Sequence, residues 1–162
     1  MQKWIEEARR FIGLKEYPGN ANNPTIMGWA KGLGTKLMGI AYGADSVPWC
    51  GLFVAHCMKS AGLPTAPIAV RASSWSTWGV ACKPVPGAVV VFQRPGGGHV
   101  GFLVGQNATA FRVLGGNQSD SVSETWIEKS RAVAFRWPAG VPIPAETLPQ
   151  LAAKGAVSRN EA

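Results

Sequence analysis

The sequence predicts an α+β fold, with N-terminal helices packed on one face of a roughly five-stranded antiparallel β-sheet. Two observations carry this. Apolar residues recur at helical spacing up to about residue 61, and from "PVPG" onward the pattern changes to short β-branched and aromatic runs separated by turn residues. Helices first and strands second gather the helices on one side of a sheet instead of alternating with its strands.

In chain order, Trp4, Ile5, Ala8, Phe11 and Ile12 form one stripe of a helix over 3–12, and Gly13 stops it. "NNPTIMGWAKGLG" supplies Asn23 as cap, Pro24 at the first helical position, and a second helix ending near Gly34. "VPWCGLFVAHC" fits a third helix over 47–61, with Asp45 or Ser46 as cap and Gly62 and Pro64 as terminators. "SSWSTWG" is a short helical piece. The runs "AVVVFQ", "HVGFLVG", "AFRVLGG", "SVSETWI" and "RAVAFRW" read as five strands, close enough in sequence to pair as a meander. Residues 1–138 are expected to form a single domain, and the Pro- and Ala-rich stretch 139–162 an extended, peripheral tail with a weak helical piece, with partial ordering against the body left open.

A chain of 162 residues with 46% hydrophobic and 15% charged residues makes one globular core. Sixteen basic residues against nine acidic give a net charge of +7, which favours anionic surroundings. The basic residues are scattered, with no run that would track a phosphate backbone, so nucleic acid is not an expected partner. "MQKWIEEARRFIG" lacks an apolar core for a signal peptide, and no stretch approaches the length of a membrane span. The expectation is a monomer made in the cytoplasm without stable membrane insertion, with export, if any, by another route.

Cys50 falls in the first turn of the third helix, where unpaired N–H groups and the helix dipole favour a thiolate. The N–H of Cys50 is a natural oxyanion donor, and Gly51 beside it would let a substrate carbonyl approach. Cys57, two turns deeper, reads as packing, and His56 lies on a different face and is assigned no role. That leaves His99 as the base, at the start of a strand after "RPGGG". A cysteine on a helix start and a histidine on a following strand is the papain-like pairing of nucleophile and base. "LGGNQSD" offers Asn117, Gln118 and Asp120 to orient the imidazole, with Asn117 best placed just past the regular strand residues. The cysteines and histidines lack zinc-ligand spacing, and "GGG" precedes a strand without a following Lys-Ser/Thr, so neither a metal nor any other cofactor is expected.

Taken in order, "DSVPWCGLFVAHCMKSAGLP", "RASSWSTWG", "PVPGAVVVF", "GGGHVGFLVG" and "VLGGNQSDSV" resemble the CHAP-like cysteine amidohydrolase and peptidase families, within the NlpC-type superfamily of bacterial and phage cell-wall hydrolases. "ARRFIGLKEYPGNANNPTIMGWAK" is similar to the helical lead-in of one subfamily. The resemblance implies a papain-like α+β fold and cleavage of an amide in the peptide part of peptidoglycan. It carries the nucleophile to Cys50, the base to His99 and the orienting residue to Asn117, with Trp49, Trp75 and Tyr17 as groove-lining candidates. Many relatives have Gly-Asp where this chain has Gly87-Ala88. Cys82 has no counterpart in the pattern, which leaves a Cys57–Cys82 disulfide open in an oxidising compartment. The rival readings are a thiol hydrolase of another peptide amide and a catalytically silent wall-binding module.

Overall fold

The computed structural model describes residues 2–38, 43–44, 48–94, 97–152 and 157–158. The expected caps Asp45 and Ser46 lie outside the described residues, as does Gly96 of the "GGG" loop. Helix α1 (Lys3–Arg10) buries Trp4, Ile5 and Ala8, the face its spacing predicts. Helix α2 (Pro24–Met38) starts where Asn23 accepts a bond from the Thr25 N–H at 2.9 Å, and it kinks at Gly34, whose φ of 80° breaks the helical path. Helix α3 (Cys50–Ser60) begins later than expected, with Trp49 at the cap position and Cys50 as the first helical residue. All its residues from Cys50 to Met58 are buried except His56, so α3 is a central helix covered on nearly every side. A 3-10 helix, Ala72–Thr77, occupies "ASSWST".

All five expected strands are present, as β2 (Val89–Arg94), β3 (Gly97–Gln106), β4 (Ala110–Gln118), β5 (Ser121–Glu128) and β6 (Ala132–Trp137). Two-residue strands β1 (Val80–Ala81) and β7 (Val157–Ser158) bring the described sheet to seven, in the order β1-β6-β2-β3-β4-β5-β7. The α+β class stands. The simple meander does not, because β2 to β5 follow one another while β6 pairs antiparallel with β2 at the far side.

This order forces a curl. A flat sheet would hold β5 and β6 about 19 Å apart, whereas the three-residue link between Glu128 and Ala132 spans at most about 14 Å. The sheet therefore bends back on itself, and Phe111 of β4 meets Phe135 of β6 with ring centroids 5.5 Å apart. On the other face Phe102 of β3 meets Phe53 of α3 at 6.4 Å. Covered on both sides, β2 to β4 can be apolar almost throughout, as "AVVVF" and "HVGFLVG" are.

The tail is more closely held than an extended appendage. Leu148 is buried in the core, Gln106 exchanges backbone bonds of 2.8 Å with Pro149 and Leu151, and β7 pairs parallel with β5. The described residues 141–152 contain no helix.

His56 caps the α1–α3 contact. Its Nε2 lies 2.8 Å from Glu7 Oε2, and its ring stacks on Trp29 at 5.0 Å. Burial lowers its pKa from the usual 6.5 despite the attraction of Glu7, helped by the positive charges of Arg10 and Lys59. The Glu7 carboxyl loses hydration by burial, but bonds from His56, Arg10 and Ser60 hold it below its usual 4.5. Both groups bind protons less readily folded than unfolded, so stability should fall as pH drops below about 6.5 through His56, and again below about 4.5 through Glu7. Denaturant titrations between pH 8 and 5 should show this slope, and His56→Gln should flatten it.

Candidate active site

Cys50 sits where the start of α3 meets the start of β3. It is only 5% exposed, yet it lines the wall of a cleft of about 530 Å³ shared with Arg71, Ser73, Phe92, Arg94 and Gly98. This volume falls within the usual range for small-ligand sites. Burial pushes the thiol above its ordinary value, contrary to the lowering expected of a helix start. The opposing influences are real but smaller: N–H groups of Val100 and Gly51, the charge of Arg94, and the N–H of Cys50 itself. The two helix-start donors thus behave as the dipole argument requires, and dehydration outweighs them.

The Val100 N–H belongs to the peptide joining His99 to Val100, so the Cys50 sulfur lies against the backbone of His99. His99 itself is fully buried and stacks on Phe92, the cleft-lining residue opposite it in the β2–β3 ladder, with centroids 6.4 Å apart. Its Nε2 is 2.9 Å from Gln118 Oε1. The amide nitrogen of Gln118 donates to the carbonyls of Ser123 at 2.7 Å and Val113 at 3.2 Å, which turns the amide oxygen toward the ring. Nε2 is then the protonated nitrogen, and in the neutral ring Nδ1 keeps the lone pair that can accept a proton.

Gln118 occupies the place expected of Asn117, and a β-bulge is the reason. The β3–β4 register pairs Phe102 with Leu114, and continued it would bring Asn117 opposite His99. Between Gly115 and Gln118 the β4–β5 register slips: Gly115 pairs with Ser123, but Gln118 pairs with Ser121. One extra residue is accommodated there, with Asn117 in the left-handed region at φ 58°. The slip advances the next side chain into the place beside the imidazole. The preceding glycines make room for it. A Cβ on Gly115 would lie 2.7 Å from Gln118 Oε1 and 3.4 Å from His99 Nε2, and one on Gly116 would lie 2.8 Å from the Trp49 ring.

The groove-lining residues also differ from expectation. Trp49 and Trp75 are fully buried: Trp49 packs against Gly116 and Trp29, and Trp75 donates from its indole nitrogen to the Ala69 carbonyl at 3.0 Å. Tyr17 is exposed, but it stands in the loop after α1 and is not among the described residues of the cleft wall. Gly51 faces protein instead of substrate, since a Cβ there would sit 2.1 Å from the Ala69 carbonyl oxygen. Gly51→Ala should therefore cost stability, by about 3 kcal/mol in denaturant unfolding, because the obstacle is backbone and cannot rotate away.

Arg71 and Arg94, the charged side chains of the described cleft wall, are not among the residues predicted from the sequence. Their signal was position: Arg71 opens "RASSWSTWG", and Arg94 immediately precedes the "PGGGH" loop. Cys57 is fully buried with its pKa pushed well above the usual value by burial, and both it and Cys82 are free thiols. Among the described residues no group of three or more His, Cys, Asp or Glu side chains could hold a metal ion, and no helix is long and apolar enough to cross a membrane.

No curated protein and no solved structure matches the chain. A family model does match residues 42–117, which span Cys50, the 3-10 helix, β2, β3 and β4 up to Asn117, and stop one residue short of Gln118. The model that matches is that of the CHAP domain, to which these residues are similar.

Proposed function

We propose that this chain is a cysteine-dependent peptidoglycan hydrolase that cleaves an amide of the wall peptide, with Cys50 as nucleophile, His99 as base and Gln118 as the residue that orients the imidazole. The observation that carries this reading is the Gln118–His99 hydrogen bond, which reserves Nδ1 for proton transfer in the residue whose backbone contacts the Cys50 sulfur. A buried thiol with a raised pKa holds little thiolate at neutral pH, so a neighbouring base must take its proton during attack.

In the first step the Cys50 sulfur attacks the amide carbonyl as its proton passes to His99. The Cys50 N–H, which faces the sulfur at the helix start, would bond the developing oxyanion. Protonated His99 then gives its proton to the departing amine, leaving a thioester. His99 next deprotonates water, which attacks the thioester and releases the acid and the free thiol. The chain's net charge of +7 favours residence on an anionic envelope, as suits a phage endolysin or a delivered toxin.

Mass spectrometry of fragments from digested peptidoglycan tests this. New termini at the lactyl–alanine amide identify an N-acetylmuramoyl-L-alanine amidase, and termini between stem residues an endopeptidase. Intact wall with no new termini would refute the reading and leave a silent wall-binding module.

A further inference from the structure

The cleft beside Cys50 carries a charge pattern that hydrolysis does not require. Two arginines, Arg71 at the start of the 3-10 helix and Arg94 at the end of β2, line the same wall as the nucleophile, and no Asp or Glu is among the described lining residues. Arg71 is exposed and makes no ion pair or side-chain hydrogen bond among the described residues, so its guanidinium is available to a ligand. Arg94 is partly buried, and its charge is felt at the Cys50 sulfur. The rest of the wall combines small polar groups, Ser73 and Ser76, with the apolar surface of Val70 and Val133. A cleft with this lining suits a short extended peptide that carries negative charge close to its reacting carbonyl.

Resting on the hydrolase reading, we propose that Arg71 and Arg94 make this site selective for acidic wall peptides, whose free carboxylate lies beside the scissile amide, over the same peptides with that carboxylate amidated. Guanidinium groups engage a carboxylate through charge-assisted bonds that a neutral carboxamide cannot match. The carboxamide also turns its own two donors toward guanidinium groups that can only donate. Discrimination thus has an attractive part and a repulsive part.

The test uses the full chain carrying Cys50→Ala, and measures by calorimetry the binding of two synthetic stem peptides that differ only in carboxylate against carboxamide. The carboxylate peptide is expected to bind about tenfold more tightly, the scale of one charge-assisted contact. Raising the salt concentration should narrow that ratio, and Arg71→Gln should remove most of it. Arg94→Gln should narrow it as well, so the two substitutions check each other should either fold poorly. Equal affinity for both peptides, or a preference that survives both arginine substitutions, would overturn the proposal. Hydrolysis of the same peptides by the unsubstituted protein is scored separately. Cleavage of both with equal binding refutes selectivity alone, and selective binding without cleavage refutes the hydrolase reading alone.

Discussion

His99→Ala is expected to reduce amide hydrolysis by about 1,000-fold, within the range that a positioned general acid and base supplies. The effect should be this large because burial holds the Cys50 thiol above its ordinary pKa, so nothing else in the described site can make the thiolate readily. The same substitution should change the chemistry of Cys50 without substrate. In the unsubstituted protein, alkylation of Cys50 should proceed at neutral pH with help from the base. In His99→Ala it should slow at pH 7 and recover only as alkali ionises the isolated thiol. Peptide mapping after iodoacetamide treatment reads both effects, with the buried Cys57 as an unreactive internal control. An unchanged pH profile would mean that the imidazole is not coupled to the thiol.

Gln118→Leu is expected to lower turnover by about 100-fold, chiefly in kcat. It removes the acceptor that holds Nε2–H and so frees the ring to rotate or change tautomer. Asn117→Gly should stay near the starting activity, because glycine adopts the φ of 58° at that position more easily than asparagine. Gly115→Ala should resemble Gln118→Leu, since its methyl would crowd the amide oxygen that meets the imidazole. Steady-state kinetics on a soluble wall peptide compare the three. If Asn117→Gly were the damaging substitution and Gln118→Leu harmless, the bulge would not have the role assigned to it.

This pair of neighbours shows where local pattern stops informing. The five long strands, the three helices and the placement of Cys50 at a helix start and His99 near a strand start were legible because each depends on local periodicity, capping or terminus position. The identity of the orienting residue depends on a single inserted residue in β4, and "LGGNQSD" reads equally well as a strand end, a turn or a bulge. The curl escaped for a related reason. That β6 returns to β2 is set by closure of the sheet around Phe111 and Phe135, a contact between distant residues with no local signature.

Trp49, Trp75 and Gly51 illustrate the same limit from the side of packing. An aromatic beside a nucleophile and a glycine after it suit a substrate groove. Here, however, the Ala69 carbonyl crosses over Gly51, and the backbone of Gly116 approaches the Trp49 ring. Only the three-dimensional path of the 66–72 segment and of β4 decides between those uses. Arg71 and Arg94 escaped in the opposite sense, as scattered charges that the fold gathers onto one wall.

The most direct test of the central claim is the mass of the intact protein, quenched during hydrolysis of a defined wall peptide. The account predicts a transient adduct equal to the acyl half of the substrate, mapping to the peptide that contains Cys50, together with loss of both adduct and cleavage in Cys50→Ala. Cleavage by Cys50→Ala at the rate of the unsubstituted protein would contradict it.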